Sequence, residues 1–136
     1  MLSLTVEELR LFLHVLAASV WVGGQITLAG LVPALRKAGA EVPKAAAQAF
    51  GRVAWPAFAV LVVTGVWNIA AIHGELSHSA DLRNTLIVKL VLVVLSGVAA
   101  YAHAHAKSRR GLALWGAGTA LFALASMLFG VILSFG

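Results

Sequence analysis

A histidine inside an apolar run is the first residue in this chain that could do chemistry. His14 lies in LRLFLHVLAASVWVGGQITLAGLVPAL, Leu9 to Leu35, whose interior carries no Asp, Glu or Lys. An ionisable side chain at membrane depth is costly unless it faces protein, a cofactor or water. At about 100° per residue, His14, Ala17, Ala18, Trp21, Gln25 and Leu28 share one stripe of a helix. The two most polar interior side chains of the run therefore point the same way, into a bundle and away from lipid. Lys89 is a second ionisable group within an apolar run, and Thr64 and Asn68 stand near the end of another. With a rise of about 1.5 Å per residue, His14, Asn68 and Lys89 fall within one or two turns of a common level. His14 and Lys89 are the candidate reactive pair, and Trp21, Gln25, Thr64, Asn68 and Ser96 are the candidate residues around a cofactor.

The elements that position these groups follow from composition. Of 136 residues, 61% are hydrophobic and only 11% are charged, against about a quarter charged in soluble domains. The chain reads as an integral membrane protein of one domain, residues 1–136. Four apolar runs, roughly 9–35, 52–73, 84–106 and 111–135, each approach or exceed the ~20 residues a spanning helix needs. None alternates as a barrel strand would, so the expected fold is all-α: an up-down bundle of four transmembrane helices. With no Cys, disulfides, iron–sulfur clusters and thiolate metal sites are excluded. The net charge of +5 does not imply nucleic acid, because the positive residues flank the apolar runs.

Those positive residues orient the chain. Arg36, Lys37, Lys44 and Arg52 surround the first connection, and Lys107, Arg109 and Arg110 the third. The second connection, HGELSHSADLR, has only Arg83, and the N-terminus only Arg10 beside Glu7 and Glu8. Positive-inside then puts connections one and three in the cytoplasm and both termini outside, in a plasma (inner) membrane. The acidic N-terminus lacks the basic region of a cleaved signal peptide. Gly39–Pro43 should break the first helix, with Pro43 in the first turn of the next and KAAAQAFGR as a cytoplasmic lead-in. Pro56 is expected early in the second helix, where it is tolerated or bends it. Trp55, Trp67 and Trp115 suit an interfacial belt, whereas Trp21 should pack inside.

Helix three carries a stripe of Lys89, Val93, Ser96, Ala100, His103 and Lys107, with His105 pointing almost oppositely. Lys89 either snorkels to the interface or faces the interior with Ser96. His103 and His105 suit a solvated interface, and His73 and His78 a solvated external loop. Gly118, Ser126, Gly130 and Ser134 form small-residue rows on helix four that permit close packing, within the bundle or across a homodimer interface.

Two chemistries fit the His/Lys layer. Haem b takes neutral imidazole as an axial ligand in helical bundles; a lysine ammonium would neutralise a propionate, and Ala17, Ala18, Gly23 and Gly24 leave room for a flat macrocycle. A copper ion would also accept imidazole, with His14 and His103 as the ligands. Cu(I) sites favour Cys and Met, however, and Met127 is the only Met besides the initiator.

The same residues carry a family likeness. LFLHVLAASVWVGGQITLAGLVPALRK resembles the first helix of the copper-resistance D (CopD) membrane domain, with its His, its Trp-x-Gly-Gly and its Pro-x-Leu-Arg exit. AFGRVAWPAFAVLVVTGVWN resembles the second helix, with Thr64-Gly65, and LRNTLIVKLVLVVLSG the third, with Lys89. The His-then-Lys layout is also similar to HemJ-type protoporphyrinogen oxidases, small four-helix membrane proteins with haem b. That likeness implies that His14 and Lys89 are the functional pair. Helix three here ends in AAYAHAHAKSRR in place of a His-Gly-Tyr-like sequence, so oxidation of protoporphyrinogen is not implied.

Three functions are thus expected in order. The first is a haem b redox protein that exchanges electrons or hydrogen with a quinone or a redox partner protein. The second is copper uptake or export through His ligands. The third is a non-catalytic accessory subunit that packs through helix four.

Overall fold

The computed structural model describes residues 3–135, and every element among them is helical. Four helices are long and apolar enough to cross a membrane: Val6–Ala38, Val42–Ala71, Ala80–His105 and Arg109–Phe135, here helices one to four. The all-α, multi-pass architecture is therefore as expected. At 33 residues the first helix is roughly 50 Å long. A hydrocarbon core of about 30 Å leaves its charged ends, Glu7 and Glu8 at one side and Arg36 and Lys37 at the other, outside the apolar zone.

The helices begin earlier than the apolar runs because polar residues start them. Thr5 and Glu8 form a reciprocal capping box: Glu8 N–H donates to Thr5 Oγ1 at 3.2 Å, and Thr5 N–H to Glu8 Oε2 at 2.8 Å. Ser79 Oγ accepts from Leu82 N–H and starts helix three at Ala80. Ser108 Oγ accepts from Gly111 N–H at the start of helix four. Helix two starts at Val42, with Pro43 in its first turn, and absorbs KAAAQAFGR as regular helix. Pro56 and Trp55 consequently lie well inside helix two, whose helical path runs through the proline. The second connection holds a short helix, His73–Leu76, with His73 and His78 exposed.

Helix one is not uniform. It is α-helical over Val6–Ala18, widens to a π-helix over Ser19–Gly23, and returns to α-helix over Gly24–Ala38. The wider turn accommodates one more residue, so Trp21 and its neighbour Val22 are both buried. Ser19 Oγ donates to Val15 O and Thr27 Oγ1 to Gly23 O, which occupies carbonyls on either side of the widened turn.

The chain divides into two compact units, Met1–Ala71 and Ile72–Gly136, each built on one pair of long helices. In the first unit, Arg10 meets Trp67, His14 meets Thr64, Trp21 meets Phe58 and Trp55, and Gly24 meets Phe50. Partners descend along helix two as helix one ascends, so the pair is antiparallel. In the second, Lys89 meets Gly130, Ser96 meets Thr119, Ala99 meets Gly118 and His103 meets Gly116, which is again antiparallel. In lipid such pairs are held by close packing and interhelical hydrogen bonds, since apolar surface gains little by leaving apolar solvent.

Small residues do that work. Ala17, Ala54, Ala99, Thr119, Ala123 and Ser126 are all buried. Of the small residues expected to line helix four, Gly118 and Gly130 face helix three and Ser126 is buried. Ser134 is exposed and donates back to Val131 O.

Gly24 is the tightest approach in the first pair, because a Cβ there would overlap the Phe50 ring. Gly24→Val should cost about 1–3 kcal/mol by overpacking, read as a lower thermal midpoint in detergent. Removing the ring in a Gly24→Val/Phe50→Ala chain should recover most of that loss. No recovery would mean that the ring is not what limits the approach.

Candidate functional site

The stripe expected on helix one is realised despite the π-helical turn. Ala17 and Trp21 are buried, and His14, Ala18, Gln25 and Leu28 are half-buried. At its N-terminal end His14 Nδ1 lies 2.8 Å from Thr64 Oγ1. Thr64 is 3% exposed and its hydroxyl donates to Val60 O at 2.7 Å, one turn back on helix two. A hydroxyl has one proton to give. With that proton on Val60 O, the oxygen is free to accept from His14 Nδ1–H. A second partner that fixes tautomer and ring orientation is what a metal-ligating imidazole needs. Gly65, next to Thr64, faces the ring edge: a Cβ there would stand 3.7 Å from His14 Cε1.

One turn from His14 toward the start of helix one lies Arg10, which is 8% exposed. Its guanidinium carbon sits 5.8 Å from the centroid of the Trp67 ring, within cation–π range. Its ionic contact is Nη2 to Glu7 Oε1 at 3.8 Å, and the Glu7 side chain is 77% exposed. A long pair with one partner in solvent contributes little. Arg10 Nε is buried without a hydrogen-bond partner, as is Asn68 Oδ1 one turn beyond Thr64. Both amide atoms of Gln25 are likewise buried and unpartnered. Native interiors seldom leave such groups unsatisfied, so each calls for a ligand or water.

Trp21 packs inside as expected, with its ring centroid 4.5 Å from Phe58 and 5.5 Å from Trp55. Trp55 is 40% exposed, and it is as much a member of this aromatic cluster as of an interfacial belt.

The second pair holds the other candidates. Lys89 Nζ occupies the space left by Gly130, where a Cβ would stand 3.2 Å from it. Ser96, 1% exposed, donates from Oγ to Thr119 O at 3.1 Å. His103 Nδ1 lies 2.8 Å from Leu112 O, an acceptor only, so Nδ1 bears the proton. Its ring fills the space beside Gly116. His105 stacks on Tyr101 and its Nδ1 bonds Tyr101 O, on the opposite side as expected. Helix three ends at His105, which leaves Lys107 beyond the stripe.

His14, Trp21, Gln25, Thr64 and Asn68 thus belong to the first helix pair, and Lys89, Ser96 and His103 to the second. Among the described residues no three His, Cys, Asp or Glu side chains come together as a metal-ion site. Sequence reasoning missed three contributors. Arg10 was read only as a topological charge, although it shares His14's face at i, i−4. Gly65 and Gly130 make room for His14 and Lys89, and no pattern within one helix reveals what its glycines face. Compared with known proteins, the chain matches no family model, no curated protein and no solved structure.

Proposed function

We propose that this chain is a membrane haem b-binding redox protein of the CopD/HemJ kind, with His14 as an axial ligand. The observation that carries the reading is the Val60–Thr64–His14 relay, which holds the imidazole by Nδ1 and orients its ring as the second partner of a metal-ligating histidine does. The residues present fit the group in a second respect, since unpartnered polar atoms of Arg10, Gln25 and Asn68 lie on the His14 and Thr64 faces. When bound, the haem supplies one-electron chemistry. The protein's part is to hold the imidazole, exclude water with the Trp21–Phe58–Trp55 cluster, and present cations to the propionates. Lys89 and the quinone or protein partner stay in the proposal on the sequence argument. The orientation also belongs here: seven of nine Lys and Arg flanking the helices lie in connections one and three or at their edges, which puts both in the cytoplasm.

The test is a reduced-minus-oxidised spectrum of detergent-purified protein made with ample haem, paired with metal analysis. A Soret band with iron near one per chain is expected. Copper near one per chain without a Soret band would favour the copper reading, and neither would favour an accessory subunit.

A further inference from the structure

Arg10 and Asn68, both on the first helix pair, each enclose a polar atom that has no hydrogen-bond partner. Arg10 lies one turn before His14 on helix one, and Asn68 one turn after Thr64 on helix two. Because the helices are antiparallel and His14 bonds Thr64, both residues extend the site toward the same end. The Arg10 side chain is about nine-tenths buried, and its guanidinium carbon lies 5.8 Å from the ring centroid of Trp67, the residue before Asn68. A contact with a ring face gives the guanidinium's N–H donors no oxygen to bond. Nε is enclosed with no acceptor, and the amide of Asn68 presents an enclosed atom with no partner. A half-turn of that amide exchanges oxygen for NH2, so Asn68 can donate as readily as accept.

The carboxylate of Glu7, 3.8 Å from Nη2 on a largely exposed side chain, leaves the buried Nε without an acceptor, and an enclosed charged donor left so is costly. The group that would relieve it carries negative oxygens in a plane, as a carboxylate does, and accepts two parallel N–H bonds. We infer that Arg10 and Asn68 hold a carboxylate of the ligand that His14 anchors; on the proposed reading this is a haem propionate. The inference rests on that reading for the identity of the ligand. It differs from the sequence expectation in placing the propionate's cation on His14's own helix, one turn away, in addition to or instead of Lys89. Lipid phosphate offers similar oxygens, so the two sources have to be separated by experiment.

Two probes share the iron and the ring but differ in charge: haem b and its dimethyl ester, in which both propionates are neutral. Wild-type protein in phosphatidylcholine nanodiscs should bind haem b about tenfold or more tightly than the ester, the scale of a charged hydrogen bond. Arg10→Gln should bring the ratio near one while leaving ester affinity unchanged. Asn68→Asp should do the same without lowering the thermal midpoint, because its own carboxylate then satisfies the guanidinium. It therefore serves even if Arg10→Gln folds poorly. A wild-type ratio near one, with binding of both probes lost in His14→Ala, would overturn the carboxylate site and leave the haem reading standing. A ratio that persists in both variants would place the propionate's partner elsewhere and also overturn it. Arg10-dependent retention of phosphatidylglycerol with no preference between the probes would assign the site to lipid phosphate. Binding of neither probe would remove both proposals.

Discussion

His14→Ala should yield a folded protein that no longer binds haem, with the Soret band lost and the thermal midpoint of the ligand-free form nearly unchanged. The asymmetry comes from who donates to whom. Thr64 gives its only proton to Val60 O, so removing the imidazole deprives Thr64 of a donor to its oxygen and strands none of its own groups. Thr64→Val is the reverse case. It leaves a part-buried Nδ1–H without that acceptor, a loss of about 1–3 kcal/mol, and it frees the ring to turn. Haem affinity should then fall roughly 10- to 100-fold, the usual effect of removing a ligand's orienting partner. The pair of variants separates ligand from orienting group: alanine at 14 abolishes binding, whereas valine at 64 weakens both binding and fold. Full haem occupancy in His14→Ala would remove His14 from the iron and with it the proposed function.

The second large effect is expected far along the sequence. Gly130→Leu should destabilise the second helix pair by about 1–3 kcal/mol, because the first added carbon already stands 3.2 Å from Lys89 Nζ and 3.6 Å from Cε. The rest of the leucine has to occupy the place of an ammonium, and a displaced lysine in hydrocarbon costs about 2.5–3.5 kcal/mol near mid-membrane unless it reaches the interface. Thermal unfolding in detergent measures the loss. Combining Gly130→Leu with Lys89→Ala should restore much of it, giving a coupling larger than the roughly 0.5 kcal/mol seen between independent sites. A silent Gly130→Leu would mean that Lys89 is not lodged there.

What could be read from the residues, and what could not, divides along a physical line. His14, Ala17, Trp21 and Gln25 were legible as one face because the period of a helix is a property of the backbone alone. Lys89, Ser96 and His103 were legible for the same reason. The starts of the helices were less so: apolar runs mark where lipid is, while Thr5, Ser79 and Ser108 mark where hydrogen bonding begins, a few residues earlier in each case. Partnerships across a pair are a further step away. That Thr64 bonds His14, that Gly130 leaves a slot for Lys89, and that Arg10 is buried beside Trp67 depend on which helix lies against which. The periodicity of a single segment carries no record of that. The π-helical turn at Ser19–Gly23 was hidden too, since no residue there demands it locally.

That turn has a consequence for how the first helix keeps phase. A wide turn is one residue more than a regular helix needs, so excising a single position between 19 and 23 would let the backbone close into ordinary α geometry without a break. Everything downstream would then keep nearly its present bearing, because four residues of α-helix and five of π-helix turn through almost the same angle. The extra residue thus lets the rod bury one more side chain, Val22 beside Trp21, without turning Gln25 away from the bearing of His14.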